Sequence, residues 1–230
     1  IDGVTIIGGM SLTTAFLGFI YSISYTTAAV TLFMLALMPF LASLIAFIFL
    51  KEKISKQNFV SMVVAFIGTL VMIYASAFSG SFFGLIMGFI SSLGFAAFSV
   101  ALRSKSDIKK FYILIYGGLF CALFSAFLMI INNQDFYIPI KNVYLSMTHG
   151  TLVASGLILF SIGSKQLLSG ELTMLSLLEV VGGIFWAWLP ILGINEVPSI
   201  NTIIGGAIIC VAIAMNSYRF DKKRLQNLTR

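Results

Sequence analysis

The chain has 230 residues, of which 59% are hydrophobic and only 10% charged. Its mean hydropathy of +1.04 excludes an ordinary soluble domain, whose charged fraction is about a quarter. The formal charge of +6 does not point to nucleic acid, because the basic residues sit in short gaps between apolar runs and form no contiguous patch.

The sequence predicts an all-α membrane protein, a polytopic helical bundle in a lipid bilayer. It starts at Ile1 and is apolar by Val4, with no initiator Met, basic n-region or cleavage pattern, so it reads as truncated at the front. Hydropathy and breakers predict eight transmembrane helices, at about 4–24, 28–50, 58–77, 81–103, 110–131, 147–168, 172–194 and 200–219. Most connections are a few residues, which makes consecutive helices antiparallel neighbours. The one long gap holds Asn132, Asn133, Gln134, Asp135 and Pro139, a loop composition. Pro39 predicts a kink in the second span, and Gly84 with Gly88, followed by Ser91 and Ser92, predicts close packing of the fourth. Cys121 and Cys210 lie in apolar runs without a CxxC spacing or nearby His, so small buried side chains are expected, and no metal or cofactor. Tyr74, Tyr137, Tyr144, Trp188 and Tyr218 fall near span ends, where they read as interface anchors.

Lys and Arg separate sharply between the two sides. Thirteen fall in one set of gaps, from Lys51 and Lys53 through Arg103 and Lys165 to the tail at Arg219, and only Lys141 falls in the other. The basic set is expected to face the cytoplasm, together with the C-terminus. The tail 220–230 reads as a basic cytoplasmic end near anionic headgroups.

The seventh span, 172–194, carries a carboxylate, Glu179. Its length of about 34 Å at 1.5 Å per residue spans the hydrocarbon core, which places Glu179 below the surface. Charges at that depth face protein or a water-filled cavity, so Glu179 is a candidate site. Ser176, Gly182, Gly183 and Trp186 share its helical face. The plainer alternative is a hydrogen bond from Glu179 to a neighbouring helix. His149, the only histidine, lies near the outer end of its span and can exchange a proton or simply be solvated. Glu52 and Glu196 close apolar spans near water, where a structural role is expected.

Sliding the chain against itself by 144 residues aligns Leu50-Lys51-Glu52 with Ile194-Asn195-Glu196, Ser55 with Ser199 and Tyr74 with Tyr218. Glu52 lies in a basic gap and Glu196 on the opposite side, so the two units are related by inversion, as in many secondary transporters.

The run Tyr25-Thr26-Thr27-Ala28-Ala29, Pro39, and Leu50-Lys51-Glu52-Lys53-Ile54-Ser55 resembles the EamA-type drug/metabolite transporter superfamily. Gly170-Glu171-Leu172-Thr173-Met174-Leu175-Ser176-Leu177-Leu178-Glu179-Val180, then Trp186-Ala187-Trp188-Leu189 and Asn195-Glu196, resembles the second copy of the motif. Val180 stands where many members have Pro, and Lys51 and Asn195 stand where Gly is frequent. The resemblance implies ten helices in a complete member, built as inverted five-helix units. Here 1–77 would hold the last three helices of the first unit and 81–219 the complete second unit. It also implies a central cavity whose polar or aromatic candidates are Thr14, Tyr21, Ser92, His149, Ser176, Glu179 and Trp186.

The function expected is secondary transport of small organic metabolites, amino acids or related compounds favoured, across the inner membrane by alternating access. A coupling proton or cation and a homodimer remain open partners. The alternative is a non-transporting membrane subunit that serves assembly. No enzyme is expected, since there is no HExxH, nucleophile elbow, P-loop or paired catalytic group.

Overall fold

The computed structural model describes residues 2–74, 81–105, 107–134, 137–189 and 197–228. Among these residues there are ten helices and no strand: α1 (Gly3–Tyr25), α2 (Ala28–Leu35), α3 (Met38–Leu50), α4 (Lys56–Ile73), α5 (Phe82–Arg103), α6 (Asp107–Ile131), α7 (Ile140–Gly163), α8 (Ser169–Ser176), α9 (Leu178–Trp188) and α10 (Ile200–Leu228). Six segments are long and apolar enough to cross a membrane: α1, Val30–Leu50, α5, Lys109–Ile131, α7 and Ile200–Ser217. The molecule is a polytopic helical membrane protein.

The count of eight spans is therefore only partly met. The third span is a shorter apolar helix, Lys56–Met72, and the second and seventh are each broken in mid-course. The first break follows from Pro39, which lies in the first turn of α3. Its ring opposes the carbonyl of the residue four earlier, Leu35, where α2 ends. The second break has no proline. There the chain tightens into three-residue turns, with Leu177 N–H on Met174 O at 3.1 Å and Val180 N–H on Leu177 O at 3.1 Å. A break at this place therefore forms with Val180 in the position where proline is frequent in the resembling family.

Short polar caps start the helices. Asp2 accepts from Thr5 N–H at 2.9 Å, Ser55 from Asn58 N–H at 3.1 Å and Ser81 from Gly84 N–H at 3.2 Å. Asp2 also pairs with Lys105 at 2.6 Å, fastening the start of α1 beyond the end of α5. That ammonium, with the Thr5 hydroxyl and amide, holds the Asp2 carboxyl well below the usual carboxylate range.

Two seams bring helix backbones into near contact. Along α1 and α5, a Cβ added to Gly18 would lie 2.9 Å from Ser91 N, and one on Gly94 would lie 2.7 Å from Ser11 O. Ser91 donates to Ala15 O at 2.8 Å across the same seam. Gly84 and Gly88 extend it against Tyr25, Thr26, Ser22 and Met34, as the GxxxG spacing led us to expect. The other seam joins α4 and α10 antiparallel. A Cβ on Gly68 would lie 2.9 Å from Gly205 O, and Gln57 Nε2 donates to Met215 O at 2.5 Å.

Around the second seam, Met62, Ala65, Met72, Met174, Leu177, Val180, Ile209 and Ala212 form one buried cluster. Leu12, Phe98, Ala101, Leu102 and Ile113 form another. Phe95 packs against both, its ring 5.6 Å from Phe98 and 5.2 Å from Phe160.

One expectation changes, that of buried cysteines, and two readings gain detail. Cys121 is half-buried and Cys210 exposed, because an apolar side chain at membrane depth needs no burial against protein. The tail stays helical to Leu228 as a continuation of α10. Glu52 is not simply solvated; its side chain is only 15% exposed and ion-paired.

Replacing Gly205 by Leu is expected to lower stability by about 1–3 kcal/mol through overpacking against α4. Gly118→Ala, where an added Cβ meets nothing within 4 Å, is the matched control. Thermal unfolding in detergent reads both; equal midpoints would remove the backbone seam as a determinant of stability.

Candidate functional site

The candidate residues lie in quite different surroundings. Glu179 occupies the first turn of α9, immediately after the break at Leu177. An anion there meets the positive end of the helix dipole, where the first amide groups lack partners within the helix. Glu179 is exposed. A Cβ added to Gly182 or Gly183, on the same face, meets nothing within 4 Å. Among the described residues, nothing packs against Gly182 or Gly183 on the carboxylate face of α9. Trp186 belongs to α9 by sequence, but its side chain lies outside the described residues.

Ser176 is half-buried, with its hydroxyl donating to Thr173 O at 2.7 Å at the end of α8. It flanks the same break. Thr14 is half-buried and donates to Met10 O at 2.8 Å, one turn back in α1. Tyr21 stands in an aromatic group with Tyr25 and Phe83, at ring distances of 6.4 and 6.1 Å. His149 is exposed on α7, a helix in which Ser161 is the only buried residue.

Ser92 is fully buried, and its hydroxyl lies 2.5 Å from Met34 O and 3.1 Å from Gly88 O. That arrangement ties α5 to α2. The structure thus gathers Ser176 and Glu179 around one helix break, and no described contact joins either of them to Thr14, Tyr21, Ser92 or His149. Glu196, like Asp135 in the long gap, lies outside the described residues.

A cleft of about 480 Å³ opens between α9 and α10, lined by Val181, Phe185, Trp188, Ile203 and Gly206 among others. Its lining is almost wholly apolar. Val181, Phe185 and Trp188 stand on the side of α9 away from Glu179 at the helical period, so the cleft and the carboxylate do not share a face.

Two polar groups were not singled out from the sequence. Ser22, Thr26 and Thr31 bring their hydroxyls together where α1 turns into α2, with Ser22 and Thr31 2.9 Å apart. At the basic end, Glu52 pairs with Arg103 at 3.0 Å and accepts from Ser169 N–H at 3.2 Å. Their separations in sequence, 51 and 117 positions, hide this meeting; the one hint was that both charged residues fall in gaps on the same side. Among the described residues, no group of three or more His, Cys, Asp or Glu is placed to hold a metal.

Residues 3–74 match the EamA-like transporter family. Over those 72 of the 230 residues the chain is similar to the EamA transporter type. It is 26% identical over 200 residues to the pseudopaline exporter CntI of Pseudomonas aeruginosa PAO1, covering 84% of this chain and 67% of that protein. The counterpart in strain UCBPP-PA14 matches equally. A crystal structure titled only as that of a protein matches with a TM-score of 0.70 at 18% identity, over 95% of this chain and 77% of that one, a likeness of fold. The matches to a transporter family and to a membrane exporter agree with the multi-pass membrane protein that the apolar helices describe.

Ser92→Ala is expected to cost about 1 kcal/mol, the net worth of a buried hydrogen bond. A lowered thermal midpoint in detergent would bear this out. An unchanged midpoint would show that the Ser92 hydroxyl does not tie α5 to α2.

Proposed function

We propose that the protein is a secondary transporter that moves small organic metabolites across the cytoplasmic membrane by alternating access, with amino acids or related amine-bearing compounds as substrates. The observation that carries this reading is the pair of mid-span helix breaks, at 36–37 and at Leu177, one of which sets Glu179 at a half-helix N-terminus. Discontinuous helices at membrane depth recur at carrier substrate sites, where half-helix ends and freed backbone groups meet the solute.

In this reading 1–77 and 81–219 belong to two inverted units that rock about a shared midplane site. The eight helices expected from hydropathy are α1, α2 with α3, α4, α5, α6, α7, α8 with α9, and α10. Glu179 binds a substrate ammonium group or carries a coupling proton, either of which neutralises a carboxylate at membrane depth. Ser176 and Trp186 are its nearest proposed companions on the helix, while Thr14, Tyr21 and His149 contribute from other spans. The basic gaps and the C-terminus face the cytoplasm. Export is the favoured direction, since the relatives matched are exporters.

The test is flux of labelled metabolites in proteoliposomes, with and without a pH gradient, comparing the chain with Glu179→Gln. Saturable flux that falls at least about tenfold in the mutant, with thermal midpoint and elution unchanged, is the expected outcome; tenfold corresponds to about 1.4 kcal/mol of lost interaction. Equal flux in the two proteins would sink the role of Glu179.

A further inference from the structure

The basic end of the bundle is closed by one ion pair that reaches four separate elements. Lys51 ends α3 in the left-handed conformation, φ 57°. The turn it makes, with Glu52 N–H on Ala46 O at 3.2 Å, aims the Glu52 side chain back over the bundle. One carboxylate oxygen accepts from Arg103 Nε at 3.0 Å, and the other accepts from Ser169 N–H at 3.2 Å. Ser169 opens α8, so Glu52 caps from a distance a helix whose own N-cap, Leu168, has no polar side chain. Arg103 ends α5 and donates through Nη1 to Ser164 O and Lys165 O, at 3.1 and 2.6 Å, where α7 finishes.

Beneath this cluster lies a space of only about 10 Å³, bounded by Ser43, Glu52, Asn58, Leu168 and Gly170 among others. No solute passes such a space, which is about that of a single water. Two polar atoms beside it, Asn58 Oδ1 and Ser169 Oγ, are buried with no hydrogen-bond partner among the described residues. The region holds more hydrogen-bonding capacity than this closed arrangement uses.

We propose that Glu52 and Arg103 form a gate at the basic end, a latch that holds α8 and the end of α7 against the α3–α4 turn and parts when the carrier opens toward that side. The proposal rests on the alternating-access reading. A latch differs from a permanent fastener in one observable respect: weakening it exposes the interior beneath it while the protein stays folded.

Ser43, buried on α3 about two turns below the latch, reports on that exposure. In a chain with Cys121 and Cys210 replaced by Ser, Ser43→Cys is reacted in membrane vesicles with a charged, membrane-impermeant thiol reagent applied to each side in turn. Slow modification is expected with Glu52 in place. It should become at least about tenfold faster in Glu52→Gln, and only from the side carrying the basic gaps.

Ser169→Pro is the second variant. It removes the N–H that donates to Glu52, together with a hydroxyl that has no hydrogen-bond partner among the described residues, at the first position of α8 where proline fits a helix, after an extended Leu168 at ψ 153°. It should accelerate modification in the same direction, and it carries the test where Glu52→Gln fails to fold. Unchanged rates in the folded variants would overturn the latch. Solute flux measured on the same vesicles keeps the two readings apart. Unchanged modification with intact flux would overturn the latch alone. Faster modification with no flux of any solute would support the closure and overturn the carrier.

Discussion

In a bilayer, helices gain little by burying apolar surface against each other, because lipid chains are as apolar as leucine. Association then depends on how closely backbones approach and on the hydrogen bonds that this approach allows. The α1–α5 seam meets that constraint with Gly18, Gly94, Gly84 and Gly88, and with the Ser91 hydroxyl on a carbonyl of the facing helix. The α4–α10 seam meets it with Gly68 and Gly205. The two apolar clusters fill around these seams, and Phe95 joins them. Helix α7, in contrast, keeps large apolar side chains such as Met147, Leu152 and Leu159 exposed, as a lipid-contacting surface permits.

The same constraint governs how polar residues are read. Thr14, Thr69, Thr148, Thr151 and Ser155 all donate to the carbonyl one turn back, which satisfies a hydroxyl in a dry environment without any ligand. A hydroxyl in a span is therefore weak evidence for a site, and Ser92, occupied between Met34 and Gly88, illustrates it. A carboxylate has no such internal remedy. Glu52 finds an arginine and a helix end, while Glu179 has a helix N-terminus on its own element and, among the described residues, nothing packed against the Gly182 and Gly183 that share its face.

How much was legible in the sequence follows from the range of the interactions. Apolar length, the Gly84–Gly88 spacing and the effect of Pro39 are local, and each has its counterpart in the structure. The break at Leu177 was not legible, because it arises from backbone tightening that no proline announces. The partners of Glu52 were not legible either. They come from α5 and α8, and a carboxylate next to a lysine-rich gap looks like an ordinary solvated group until the fold brings those helix ends to it. The tail was read from its basic composition as an end near headgroups, with no statement of its conformation; it directly extends an apolar helix, and propagation of an existing helix is far easier than its nucleation.

The two broken spans connect these observations. A helix that runs unbroken through the membrane satisfies its amide groups internally and offers a solute only side chains. One that stops midway frees amide donors and carbonyl acceptors at a depth where nothing else supplies them. The break at Leu177 places Glu179 in the first turn of α9, and the beginning of α8, one short helix away, is held by Glu52. The α8–α9 segment thus carries the carboxylate proposed to meet substrate at one point and the contact proposed to close the basic end at another. Because α8 is only eight residues long, a shift of its first turn on parting from Glu52 has little helix in which to dissipate before it reaches the break. In the proposed carrier, that short segment is the physical link by which opening at the membrane surface changes the surroundings of the carboxylate at its midplane.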